Sequence, residues 1–454
     1  MSVSTHVPND ASTAAAPDHT PRPRPGIGVA IKVEITKLML QPTLRIVLAL
    51  CVVVPAGFAI LMRAGSNRPS DTLFGRWAGT SGFATSLTVL NWAAAYGAPL
   101  LAGLFAGDIY ASEDRHGTWK TILTRSCIRS RLFLGKAVAA TVCVWFSFVV
   151  IGVVSLLAGL AAVGSSPLVG LSGQLVGSGQ ALGLVAASWM LSLLWTSVFV
   201  ALGLLLSVAS RSGIVGVLGP LVVGIVLQLL ETIASGQVVR SILPTTPSDA
   251  WHVFFTTPVP AWPILQAVIT DVGYTAGFAG TAWYLLRRRD FAGTDAMPVG
   301  RRRATVRIGI ATAAIGALLG GLSTVGPTAL TASRLDTSIA TTFGHLAEVR
   351  YQWQTGAHAD PTIPWHAVCN RGGTPIGATV PNSTGVGDDW SCTISDLRAS
   401  DGVGTNVLDV TLKANGCYEV QSPPGAVGPL YATDDRGRTF LNPLFAFDGC
   451  LGTP

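Results

Sequence analysis

Residues 134–163 read LGKAVAATVCVWFSFVVIGVVSLLAGLAAV, thirty positions with one charge, Lys136, close to the start. About 20 consecutive apolar residues suffice for a helix to cross the hydrocarbon core of a bilayer. A run of this length, apolar on every face, has nowhere to sit in a soluble protein of ordinary size. It therefore reads as a membrane span, and the chain on either side repeats the pattern. Residues 44–62, 87–106, 181–208, 214–230, 264–286 and 308–325 form further apolar runs that qualify or nearly qualify. The fifth of the seven, 214–230, is the shortest and carries Gly219-Pro220, a predicted kink.

Composition points the same way. Of 454 residues, 49% are apolar and 12% charged, about half the charged share of a soluble protein. Residues 1–26 are rich in Pro, Ala, Ser and Thr without an apolar run, so a disordered segment is expected there. The first apolar core begins only near Ile46, too far along for a cleaved secretory signal.

Lys and Arg in short loops orient the spans. Lys32, Lys37 and Arg45 precede the first; Arg115, Lys120, Arg125, Arg129, Arg131 and Lys136 follow the second. Arg211 follows the fourth, and Arg287, Arg288, Arg289, Arg301, Arg302, Arg303 and Arg307 follow the sixth. These regions alternate as cytoplasmic loops should. The loop holding Arg63, Arg68 and Arg76 runs mildly against the rule. Seven spans would place the N-terminus in the cytoplasm and the C-terminus outside the cell. The chain after Pro327 has a net charge of −5 and the remainder +11, so the basic excess is a topology signal and not a nucleic-acid patch.

Four of seven cysteines, Cys369, Cys392, Cys417 and Cys450, fall in that acidic tail, which suits two disulfides in an oxidising compartment. Three connectivities are open; nearest-neighbour pairing, Cys369–Cys392 and Cys417–Cys450, closes the shortest loops. No CxxC or Cys/His cluster suggests a metal site. Leu335, Ile339, Phe343, Leu346 and Val349 predict a helix over roughly 329–354, followed by strands near 365–369, 390–394, 407–412, 418–421 and 430–432. The expected fold is thus an all-α polytopic membrane domain with a small extracellular, disulfide-bonded α+β domain. Its divisions are 1–26, 27–292 (six spans), 293–327 (a basic loop and seventh span) and 328–454.

The stretch from Asp108 to Lys136 carries the mechanism. Acidic residues come first, Glu113 among them, then Arg115, then Gly117-Thr118, with Thr118 placed to cap a short helix. Trp119, Ile122 and Leu123 would share one side of that helix, which could dock at the cytoplasmic surface against a soluble partner. An ordinary basic loop that only fixes topology fits the same residues.

Glu113, Arg115, Gly117, Thr118, Leu123, Arg129 and Lys136, lying between the second and third spans, resemble the signature of ABC-2 type permeases, the membrane subunits of one class of ABC exporters. Lys32, Glu34 and Lys37 resemble that family's interfacial connecting helix, and Leu286 to Phe291 its basic exit from the sixth span. The tail resembles exported domains that accompany such permeases in actinobacteria. The resemblance implies an exporter subunit in the plasma membrane with no ATPase site of its own, and the chain has no GxxxxGK[ST] phosphate loop. It implies a separate ATPase subunit, holding the ATP, docked under Glu113, Arg115, Gly117, Thr118, Leu123 and Arg125. It also implies pairing with a second permease, identical or not. The loop 231–263, with Trp251, Phe254, Phe255 and Trp262, would cap the exit path or simply anchor at the interface.

Asp271, about two turns into the sixth span, marks a translocation path, or else a hydrated structural carboxyl; Asn91 is a weaker candidate of the same kind. A membrane-anchored sensor or adaptor acting through the external domain is the alternative function. An ion-coupled secondary transporter would need more intramembrane charges than this chain has. No nucleophile motif suggests a hydrolase.

Overall fold

Helices apolar all round can hide only against one another and against lipid, and the computed structural model packs them in that way. It describes residues 26–65, 74–119, 129–233, 246–257, 259–289, 330–357, 365–372, 384–385, 387–396, 406–413, 416–423, 425–433 and 439–451. Helix α1, Ile27–Leu40, gives way at Gln41 to α2, Pro42–Ala64. Pro42 stands at the first helical position, where its missing N–H costs nothing. The run Gly82–Arg115 comprises α3, Gly82–Trp92, α4, Ala98–Ala102, and α5, Ala111–Arg115. Then come α6, Arg129–Ala162; α7, Ser178–Ser210; α8, Gly213–Ile233; and α9, Ala261–Arg287.

Among the described residues, five helices are long and apolar enough to cross a membrane: α2, the run Gly82–Arg115, α6, α7 and α8. The chain is a multi-pass membrane protein. Helix α9 occupies the sixth expected span and has 27 residues, but with Gln266, Thr270 and Asp271 on its buried face it is not one of the five. The expected seventh span, 308–325, lies outside the described residues. At about 1.5 Å per residue α6 is roughly 50 Å long, well beyond a core of about 30 Å, so it projects past the bilayer.

The second span differs from the uninterrupted run expected at 87–106. It starts at Gly82 and contains two π-helical turns, Ala93–Gly97 and Gly103–Gly107. Pro99 has no N–H to give the preceding turn, which accounts for the first widening. At the second, the backbone meets α8. A Cβ on Gly107 would lie 2.1 Å from the Gly216 carbonyl oxygen, and one on Gly216 would lie 1.9 Å from that of Gly107. Only hydrogen fits at this crossing, the small-residue contact through which membrane helices approach closely. Helix α9 lies along α7, and both α1 and α2 lie along α6. Ile46, Leu50, Val53, Val54 and Leu61 of α2, and Ile214, Leu218 and Val222 of α8, point outward, as lipid-facing side chains do.

The bundle has two unlike ends. One gathers α1, α5, the start of α6, the α7–α8 turn and the end of α9. The other carries a short 3₁₀ turn, Gly75–Trp77, a hairpin of β1 (Leu168–Val169) and β2 (Leu175–Val176), and a 3₁₀ segment, Thr246–Phe255. Phe74 packs against Trp251 and Phe255 (centroids 5.8 and 4.9 Å), and Phe255 O accepts from Leu171 N at 2.8 Å.

The C-terminal domain sits on that second end. Helix α10, Ala332–Thr355, buries Leu335, Ile339, Phe343, Leu346 and Val349 against an antiparallel sheet. Its strands are β3 (Trp365–Arg371), β4 (Gly387–Asp396), β5 (Asn406–Leu412), β6 (Cys417–Gln421) and β9 (Ala446–Cys450), in the order β3-β4-β5-β6-β9. A separate hairpin pairs β7 (Tyr431–Thr433) with β8 (Thr439–Leu441). Disulfides join Cys369 to Cys392 and Cys417 to Cys450, each pair directly opposite in the register. The domain meets the bundle at several points. His345 Nδ1 lies 3.0 Å from Ser172 O, Trp77 meets Trp353 edge to face at 5.2 Å, and the Arg76 guanidinium donates to Ala446 O. Gly173, at φ 76°, lies so close that a Cβ there would be 2.6 Å from the His345 Cβ.

Candidate functional site

An acidic residue in a helix that packs on an apolar neighbour must find a cation or lose its charge. Glu34 on α1 and Glu113 on α5 find the same one. Lys136, on the first turns of α6 and fully buried, donates to Glu34 Oε1 at 2.9 Å and to Glu113 Oε1 at 3.0 Å. Lys37, one turn on from Glu34, donates to Glu113 Oε1 at 2.5 Å with its stem half exposed. The Thr118 hydroxyl donates to Glu113 Oε2, and the Thr118 N–H to Glu113 O at 3.1 Å. Two lysines thus balance two carboxylates, and three helices from separate parts of the sequence are tied at one point. The desolvation cost makes such a cluster a poor source of net stability but an intolerant one, since losing one member leaves an uncompensated buried charge.

A second tier surrounds it. Arg115 Nη2 donates to Asp108 Oδ2 at 2.9 Å, and Arg289, just past α9, pairs with Asp114. Arg129 Nη1 reaches the carbonyl oxygens of Arg287 and Arg289 at 3.0 and 3.3 Å, capping the end of α9. The Ser207 hydroxyl of α7 accepts from the backbone N–H groups of Tyr110 and Ala111 at 3.2 and 3.1 Å. Gly117 takes φ 62° at the end of α5, and Trp119 turns inward against the Tyr110 ring, which in turn faces Phe133. The Thr118 hydroxyl is therefore engaged by Glu113.

The structure brings Glu34, Lys37, Glu113 and Thr118 together and sets Arg115 and Gly117 beside them. Lys32 lies exposed on α1. Leu123 and Arg125 lie outside the described residues. From the sequence, Lys136 stood only in the family signature, without a place in the coupling site, and Asp108, Asp114 and Arg289 were given none. Lys136 had a visible signal as the one charge in a thirty-residue apolar run. Asp271 is buried on α9, and its Oδ1 has no hydrogen-bond partner among the described residues. Asn91 is half-buried on α3, and neither residue joins the Lys136 cluster. Among the described residues, no three His, Cys, Asp or Glu side chains are grouped to hold a metal ion.

Mechanically, the arrangement makes α1, α5 and the root of α6 one unit, with α9 attached through Asp114 and Arg289. A displacement of Thr118 would pass directly into α1, α5 and α6. Residues 30–246, which hold Glu34, Lys37, Glu113, Thr118 and Lys136 but none of α9, match a family model described as ABC-2 family transporter protein. Among curated proteins, none matches the chain.

Proposed function

We propose, from the premise that residues 30–246 are a permease domain of the ABC-2 transporter family, that the chain is the membrane half of an ATP-driven exporter. The family works with an ATPase subunit at the membrane. In this chain the ATPase would press on the segment following Gly117, and the Lys136 cluster would carry that push into α1 and α6. The observation behind this reading is the placement of Lys136. A fully buried lysine bridging Glu34 and Glu113 costs desolvation that an isolated topology loop would have no reason to bear.

The finer assignments follow. The end rich in Lys and Arg faces the cytoplasm by the positive-inside rule, and the disulfide-bonded domain faces the exterior. Helix α9 acts as the sixth span, since it lies along α7 through its length, and residues 308–325 supply a seventh. The segment Thr246–Phe255 caps the exit with the β1–β2 hairpin. Asp271 borders the translocation path. Two permease chains, identical or different, pair with two ATPase subunits, which bind and hydrolyse the ATP; the permease itself is not an enzyme.

The test is co-purification from native membranes. Wild type should bring down an ATPase subunit whose hydrolysis depends on the complex. Glu113→Lys, which puts a third cation at the cluster, should lose it while the C-terminal disulfides still form. A well-folded wild type that never recruits an ATPase would overturn the exporter reading and favour the membrane-anchored sensor.

A further inference from the structure

Arg76 is the outer-loop arginine that sits awkwardly with the charge rule, and the structure gives it an occupation. Strand alternation puts Glu419 and Asp448 on the sheet face opposite the one covered by α10, where Tyr418 bonds Ser338 and Phe447 meets Phe343. Glu419 and Asp448 are direct cross-strand partners in the β6–β9 register. Two carboxylates so placed repel each other unless something answers them. Lys413 answers from the end of β5, 2.5 Å from Glu419. Arg76 answers from the bundle, donating to Ala446 O on the same strand as Asp448. Asp249 and His252, from the 3₁₀ segment Thr246–Phe255, act electrostatically within the same cluster. The face would be open to water if the domain stood away from the bundle.

We propose that this cluster is a proton-operated latch, holding the C-terminal domain on the bundle while Asp448 is protonated and loosening as it ionises. The contact stands on geometry: the opposed carboxylates, the Arg76 bond and the neighbouring His345–Ser172 and Trp77–Trp353 contacts. Burial first, and Glu419 and Asp249 next, push the Asp448 carboxyl up to about 7, while Lys413 and Arg76 pull it down. Since the bundle partly covers that face, with Glu419 still half exposed, the docked form holds the proton more tightly than the separated one. The docking contribution is then full below the ordinary carboxyl value and is lost as pH rises through about 7. His252 works in the opposite sense. Burial, with Lys413 nearby, lowers it to about 4, so it favours docking as pH rises towards its ordinary value of about 6.5. Tyr418 is pushed up to about 12, by burial first and by the field of Asp448 last, and does not titrate in this range. At pH 6.5 about half of an exposed His252 is still protonated, so between pH 6.5 and 8.5 it offsets about twofold of the fourfold loss that Asp448 alone would give.

The experiment is hydrogen exchange on the full chain in lipid nanodiscs at pH 6.5 and 8.5, with rates corrected for intrinsic chemistry. Protection in Gly75–Trp77 and Thr246–Phe255 should fall about twofold at the higher pH, while β3 and β4 stay unchanged. Asp448→Asn should abolish that fall and keep the protection. Glu419→Gln, at a more exposed site, should lower the midpoint. Equal wild-type protection at both pH values, or a twofold fall that persists in Asp448→Asn, would overturn the latch.

Discussion

The two ends of the bundle both carry charges in places that exclude much of the water, yet they are built differently. At the Lys136 end, two lysines meet two carboxylates, and the lysine at the centre has no exposed surface. At the Arg76 end, two carboxylates stand face to face on neighbouring strands, and Lys413 and Glu419 keep 29% and 51% of their side chains exposed. Balanced and sealed charges fix one arrangement, because any departure strands an ion in a medium that cannot solvate it. Opposed and partly wetted charges leave a small energy difference between arrangements, which a proton can tip. The first design suits transmission of a push, and the second suits release.

This contrast can be broken in several places. The largest effect is expected from Lys136→Met, which leaves Glu34 and Glu113 buried with only Lys37 nearby and should cost about 3–5 kcal/mol. The thermal midpoint of the purified protein would fall sharply. Adding Glu34→Gln should recover a substantial part of the loss, since that removes one of the stranded charges. If the single and double variants melt together, the bridge is not what holds α1 to α6. Next in size is Cys417→Ser with Cys450→Ser, expected to cost about 2–4 kcal/mol through the unfolded chain. It should free β9, and with it Asp448, so exchange in Thr246–Phe255 should rise while α1 is untouched. Lys413→Met removes a partly exposed partner and should cost no more than about 1 kcal/mol. A loss as large as that of Lys136→Met would erase the distinction between the ends. Arg371→Gln, on the exposed pair with Asp389, serves as the floor, with a change within about 0.5 kcal/mol by chemical denaturation.

Much of this was legible before any coordinates, and the boundary is physical. Long apolar runs announce spans because the signal is local, and the heptad-like spacing of Leu335 to Val349 announces α10 for the same reason. The strands β8 and β9 were missed because each is short and β9 holds Asp448 and Gly449 beside its apolar residues. The second π-turn was missed because only tertiary contact, the meeting of Gly107 with Gly216, shows why the helix widens there. In the site, Glu113, Glu34 and Lys37 were visible as members of separate segments. That they converge on Lys136 was not, since residues 34, 113 and 136 meet only through the packing of α1, α5 and α6. Arg76 looked like a topology exception, and its partner lies 370 residues further on.

The placement of the two disulfides has a mechanical consequence. They staple the outermost strand pairs of the five-stranded sheet, β3 to β4 on one side and β6 to β9 on the other. A tug on the domain from its bundle-side end enters at α10 and β3. It then travels through sulfur from Cys369 to Cys392 and from Cys417 to Cys450, bypassing the enclosed loops of chain. Within the sheet, only the stretch between Cys392 and Cys417, essentially β5 and its flanks, can be drawn out as slack. Under tension the domain would yield by a short, fixed increment and then hold, like a tether with a stop, while its reduced form would pay out several times more chain.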